Sequence, residues 1–251
     1  MLLAFIVALQ FLTIVRVRES LPFDDETLGR SGAFFPVIGL LIGLVVWGFD
    51  QGLSAIVPPA LRNIFLVIVL VVISRGLHLD GLADSADGLL GSGDRQRSLA
   101  IMKDSRIGAF GALALIGVLL AKLRALDLLT DGHRTPALLL SPMFGRWACV
   151  VMAYLAPPAR EEGLGAMFVR GTQFRTLLIV HLLLLVAGFL FAGLWTALLF
   201  LFLGGLTVGF TRYCTRRLGG VTGDTLGAVG ELVETAAFCL FAVLDYGGSP
   251  H

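Results

Sequence analysis

Asn63-Ile64-Phe65-Leu66-Val67-Ile68-Val69-Leu70-Val71-Val72-Ile73 runs without a charge into Ser74-Arg75-Gly76-Leu77, after which the chain reads His78-Leu79-Asp80-Gly81-Leu82-Ala83-Asp84-Ser85-Ala86-Asp87-Gly88-Leu89. The first stretch has the character of a short membrane span. The second sets three carboxylates at i, i+4 and i+7. On a helix of 3.6 residues per turn the second and third project within about 40° of the first, so their charges share one face at the membrane edge. Like charges that close call for a cation. Beside an apolar span the expected one is a hard divalent ion, Mg²⁺ or alternatively Mn²⁺, held by oxygen ligands and shared with a phosphate-bearing substrate.

The rest of the chain has the same character. Of 251 residues, 57% are hydrophobic and 15% charged, with a mean hydropathy of +0.89, whereas soluble domains carry about 25% charged residues. The composition predicts an all-α, polytopic integral membrane helical bundle in the lipid bilayer, a single catalytic domain over residues 1–251. A net charge of +1 gives no sign of nucleic-acid binding. Cys149, Cys214 and Cys239 lie far apart and read as buried free thiols, not a disulfide framework or a zinc site. Met1 to Val15 has no basic n-region and no small-residue cleavage site, so it is expected to be a retained first helix. Nothing in the sequence decides oligomeric state, and a homo-oligomer is compatible with it.

Apolar windows fall at about 2–15, 31–49, 60–74, 107–121, 134–155, 176–192, 194–211 and 226–244, which predicts about eight spans, with seven also compatible. Residues 177–210 are compatible with one long tilted helix or with two joined at Gly188 to Gly193, and their length of about 34 residues favours two, since a span needs ~20. With eight spans, the loops after the odd-numbered helices hold 14 of the 19 Lys and Arg residues, and the even-numbered loops hold Arg62, Lys122, Arg124 and Arg134, with Arg146 inside a span. The positive-inside rule then places the odd loops, and with them the aspartate row, on the cytoplasmic face, leaving both termini external.

Three polar constellations carry the candidate chemistry. His78, Asp80, Asp84 and Asp87 form the first, as catalytic or metal-binding groups, because ionisable residues at membrane depth are seldom decorative. The second is Lys103-Asp104-Ser105-Arg106 ahead of the fourth span. There Asp104 or Ser105 is expected to cap the helix, leaving its amides, Lys103 and Arg106 to hold a diphosphate. The third is Gly219-Gly220-Val221-Thr222-Gly223-Asp224, followed by Glu231 and Glu234. Its acids recur on one face of the last helix and are expected to oppose the first row, with Asp224 and Glu231 as metal ligands and Thr222 and Gly223 against substrate. Arg146 needs a partner inside its span, either an acid or a substrate phosphate. Arg160-Glu161-Glu162-Gly163-Leu164-Gly165 reads as a solvated turn, and His181 as a packed residue outside the site. Acids and bases converging on one face suit metal-assisted transfer of a phosphoryl-linked group.

The strings His78 to Gly88, Ile101-Met102-Lys103-Asp104-Ser105-Arg106, Arg160 to Gly165 and Gly219 to Ala228 resemble the cobalamin synthase family, the adenosylcobinamide-GDP ribazoletransferases or cobalamin-5'-phosphate synthases. The resemblance implies a bacterial inner-membrane enzyme that uses Mg²⁺. Its substrates would be adenosylcobinamide-GDP and alpha-ribazole or the 5'-phosphate of alpha-ribazole, and a ribose hydroxyl would displace GMP. It further implies Asp80, Asp84 and Asp87 as metal or catalytic acids, and Lys103 and Arg106 as phosphate contacts. Two other readings remain open on the residues. A CDP-alcohol phosphotransferase also uses an Asp-Gly-rich helix, although its Ala-Arg step and final Asp-x-x-x-Asp are absent here. A cation-coupled transporter would more often place its acids at the midplane of inverted repeats.

Overall fold

The computed structural model describes residues 1–21 and 24–248. Its helices are α1 (Leu2–Leu12), α2 (Asp25–Ser31), α3 (Phe35–Leu53), α4 (Pro59–Ile73), α5 (Leu77–Leu90), α6 (Arg95–Ile101), α7 (Ala109–Leu128), α8 (Asp131–Leu155), α9 (Leu164–Gly171), α10 (Phe174–Ala192), α11 (Trp195–Leu218) and α12 (Gly223–Gly248), with a 3₁₀ turn at Gly32–Phe34 between α2 and α3. The only β pairing among the described residues is one isolated parallel bridge between Pro158 and Val221.

The expected bundle is present, with fewer crossings than eight. Six helical segments are long and apolar enough to span, and a seventh is reached if α4 and α5, bent by 85°, count as one. With that pair counted as one span, the remaining shortfall from eight lies at α1. Its 11 residues rise about 16 Å, half of a hydrocarbon core of about 30 Å. The external N-terminus expected from a first crossing therefore loses its basis. The break in residues 177–210 is real: α10 stops at Gly193, whose φ of +55° suits a residue without Cβ, and α11 starts two residues later.

α8 is the axis of the bundle. In its apolar window 89% of the residues are buried, against 22% in α7 and 28% in α10 and α11, which turn most of their surface outward. Phe144 and Trp147 of α8 are fully enclosed, whereas Leu113 of α7, Leu190 of α10 and Leu201 of α11 are exposed. With lipid tails as solvent, helices gain little from hiding apolar surface from one another, so close packing has to hold them together. Glycine allows it here. A Cβ on Gly39 would lie 2.5 Å from the Pro142 carbonyl, and one on Gly145 2.7 Å from the Gly230 carbonyl, which locks α3 and α12 against α8.

At the end of the bundle away from the aspartate row, Arg134 donates to both carboxylate oxygens of Asp50 (2.9 and 2.7 Å) and to Asn63 (2.6 Å). Arg62 also pairs with Asp50, at 3.1 Å. Lys122, expected in a loop on that side, is instead buried in α7 beside acids of α12. Three of the four bases assigned to the even loops are thus held by carboxylates inside the bundle, which leaves Arg124 and sharpens the charge asymmetry. The basic loops meet at the opposite end. Arg217 donates to the Leu89 and Ser92 carbonyls, Arg95 to those of Leu218 and Ala159, and Arg170 pairs with Asp25.

Candidate active site

α5 turns away from α4 through Arg75 and Gly76, with φ of 54° and 64°, and is laid against α12 and α7. The crossing with α12 is glycine-mediated, since a Cβ on Gly81 would lie 2.7 Å from the Asp224 carbonyl. This contact brings Asp80 and Asp84 beside Asp224. The start of α12 is fixed by a reciprocal cap: Thr222 N–H donates to Thr225 Oγ1 (2.8 Å) and Thr225 N–H to Thr222 Oγ1 (3.2 Å). Thr222 therefore acts as a cap, and its hydroxyl also reaches Asp224 at 3.3 Å.

Two hollows flank the acids. One is a cavity of ≈ 230 Å³ whose lining includes Phe11, Leu28, Phe35, Phe168, Asp80 and Asp224. The other is an open groove of ≈ 690 Å³ lined among others by Arg75, Asp80, Asp84 and Ser105. Asp80 borders both. Gly223 lines the cavity, as does His78, which is buried with Nε2 4.0 Å from Cys149 Sγ.

The three aspartates of the row do not share one role. Asp87 is buried and accepts from the N–H groups of Gly108 (2.7 Å) and Gly111 (2.9 Å) at the start of α7. A Cβ on either glycine would lie 2.4 Å from an Asp87 oxygen, which explains why both positions lack one. This corrects the expected capping by Asp104 or Ser105: the amides that were to hold a diphosphate are occupied by Asp87, whose negative charge suits the positive helix end. Asp104 instead holds the Arg106 guanidinium in a fork, with contacts down to 2.6 Å, and these hydrogen bonds bring its carboxyl down to about 2. Lys103 and Arg106 are exposed, and of this segment Ser105 lines the groove.

The expected wall of Asp224, Glu231 and Glu234 also divides. Lys122 Nζ lies 2.5 Å from Glu231 and 2.6 Å from Glu234, and Arg146 pairs with Glu234 as well. Two acids and two bases thus balance inside the bundle, the condition under which buried charges are tolerated. Arg146 has its partner in the third constellation, and Glu231 does not join Asp224. Asp224 is met instead by Arg160 at 3.3 Å, which also donates to the Leu99 carbonyl at 3.0 Å. Arg160 is the site residue that the sequence reading passed over. Its signal was the Arg-Glu-Glu-Gly string, read there as a solvated turn. His181 is packed as expected, against Trp147 and Phe200 at ring separations of 5.5 and 5.4 Å.

Among the described residues, no three His, Cys, Asp or Glu side chains are gathered tightly enough to hold a metal alone. Mg²⁺ does not require that. It keeps several waters and is commonly held by one or two carboxylates together with substrate phosphates. Asp80 and Asp84, one turn apart and facing an open groove, supply a donor set of that kind.

A profile of the cobalamin-5-phosphate synthase family matches residues 4–242. The chain is 39% identical over 252 residues to the adenosylcobinamide-GDP ribazoletransferase of Geotalea daltonii, covering 99% of each chain. It is 44% identical over 246 residues to that of Pseudomonas fluorescens, covering 94% of this chain and 97% of the relative. With the enzyme of the same name from Clostridium tetani the identity is 34% over 244 residues, covering 96% and 97%. No solved structure matches the chain. A helical membrane bundle that gathers the aspartate row, the Arg160 string and the Asp224 loop at one end, matched over nearly its whole length by these relatives, belongs to the cobalamin-5-phosphate synthase family.

Proposed function

We propose that this protein is a Mg²⁺-dependent adenosylcobinamide-GDP ribazoletransferase of a bacterial inner membrane, with its reacting end on the cytoplasmic face. It would join adenosylcobinamide-GDP to alpha-ribazole, or to the 5'-phosphate of alpha-ribazole, and release GMP. The observation that carries the reading is the position of Asp80, shared between a largely apolar cavity and an open groove lined by Arg75, Asp84 and Ser105. The cytoplasmic assignment is supported by the basic loops tied together at that end.

The ribose hydroxyl oxygen bonds to the phosphorus next to the cobinamide, the phosphoanhydride bond breaks, and GMP departs with the electron pair. Asp80 holds the attacking hydroxyl and its carboxylate receives the proton. Arg75 and the Lys103–Arg106 segment draw the diphosphate into the groove, and Ser105 hydrogen-bonds it at the edge. Arg160 holds Asp224 toward the site through their 3.3 Å contact. Asp80 and Asp84, the two carboxylates on the groove, would hold Mg²⁺ together with the substrate's diphosphate, where the ion when bound supplies positive charge. Orientation and charge stabilisation account for most of the acceleration available to such a transfer.

The test is to supply purified protein in liposomes with adenosylcobinamide-GDP, alpha-ribazole and Mg²⁺ and to follow GMP and the corrinoid product. Stoichiometric GMP and product, abolished by chelation, is the expected result. Release of CMP from a CDP-alcohol without GMP would overturn the proposal.

A further inference from the structure

We infer that the ≈ 230 Å³ cavity seats the flat aromatic base of the hydroxyl-bearing substrate, with Asp80 and Asp224 receiving its ribose at the cavity mouth. This rests on the reading of the site as a ribazole transferase and adds to it which substrate occupies which hollow.

The chemistry of the lining is divided. Phe11, Leu28, Phe35, Phe168 and Leu226 supply apolar wall, and the two aspartates supply charge. The rings of Phe35 and Phe168 stack at 4.9 Å with an interplanar angle of 11°, and Phe11 lies 6.3 Å from Phe35. A benzimidazole nucleoside has the matching division, an apolar bicycle at one end and hydroxyls at the other. Aromatic walls favour flat rings through offset or edge contacts. Size excludes the other substrate. The cavity is smaller than the roughly 300–1,000 Å³ of sites for drug-sized ligands, so it accommodates a bicyclic ring but neither a corrin macrocycle nor a guanosine diphosphate. The groove of ≈ 690 Å³, with Arg75 and Ser105 in its lining, has both the room and the polar groups for a diphosphate. Because Asp80 borders both hollows, a base seated in the cavity brings its ribose to the carboxylate that faces the diphosphate.

Initial-rate kinetics of the full-length enzyme test this assignment, using free 5,6-dimethylbenzimidazole as a probe. The base should inhibit competitively against alpha-ribazole and not against adenosylcobinamide-GDP. Leu28→Phe, which adds volume to the wall, should raise KM for alpha-ribazole by about tenfold or more and leave KM for adenosylcobinamide-GDP unchanged. Competition of the base with adenosylcobinamide-GDP, or an equal rise in both KM values, would overturn the assignment while leaving the transferase reading intact. If the variant does not fold, the wild-type inhibition pattern decides. If the wild type releases no GMP, the transferase reading fails. Equilibrium dialysis then decides the cavity separately: labelled alpha-ribazole displaced by the free base supports it, and retention in the presence of excess base refutes it.

Discussion

Gly81→Ala perturbs the α5–α12 crossing with one methyl group. The added Cβ would meet the Asp224 carbonyl oxygen at 2.7 Å and its Cα at 3.2 Å, where ordinary contact begins at 3.4 Å. The obstacle is backbone, so it cannot rotate aside, and the helices must separate by roughly 0.7 Å at the point where Asp80 and Asp84 approach Asp224. Misplacing reacting groups by about 1 Å costs up to about 10²-fold in rate, which places the loss in turnover between about tenfold and 100-fold, or about 1.4–2.7 kcal/mol in the barrier. Overpacking should also lower stability by about 1–3 kcal/mol, so GMP release must be measured well below the melting temperature of the variant. Gly117→Ala is the control, because a Cβ there meets nothing within 4 Å, and it should keep wild-type turnover. Wild-type turnover in Gly81→Ala would refute the claim that this crossing sets the geometry of the acids.

Three further outcomes follow from the charge clusters. Lys122→Met strands Glu231 inside the bundle and should destabilise by about 3–5 kcal/mol, with much of the loss recovered in Lys122→Met/Glu231→Gln; thermal denaturation in detergent reads both. Asp87→Ala removes the acceptor for the Gly108 and Gly111 amides and should cost about 1–2 kcal/mol, with a raised KM for adenosylcobinamide-GDP because the Ser105 edge of the groove is no longer held. The Asp104 carboxyl lies at about 2, below its ordinary 3.8, so its fork with Arg106 contributes fully above the ordinary value and is lost only as pH falls through about 2. Turnover measured between pH 5 and 8 should accordingly show the same pH profile in Asp104→Asn as in the wild type.

The sequence pattern revealed the bundle because hydropathy is local: a run of apolar residues needs no partner to be recognised. The grouping of basic loops at one end was legible for the same reason. Partner choice was not. Asp80, Asp84 and Asp87 have the same spacing and type, yet Asp87 is committed to amides more than twenty residues further along, a contact set only when α5 packs on α7. Glu231 and Glu234 share the spacing of a metal-binding pair, and what separates them from Asp224 is Lys122, more than a hundred residues away. Arg160 sat in a string that reads as solvated turn, and only its contact with Asp224 brings it into the site. The first helix was counted as a crossing because hydropathy measures composition, whereas spanning depends on how many of those residues remain helical.

The most direct measurement of the central claim compares GMP release from adenosylcobinamide-GDP and alpha-ribazole by the wild-type protein and by Asp84→Asn, both reconstituted in liposomes with Mg²⁺ and matched for folded protein by thermal melting. The account predicts wild-type turnover and a melting temperature near wild type in the variant with GMP release abolished, because Asp84 faces the groove and holds no helix end. Retained GMP release in Asp84→Asn would remove that carboxylate from the reacting centre and contradict the account.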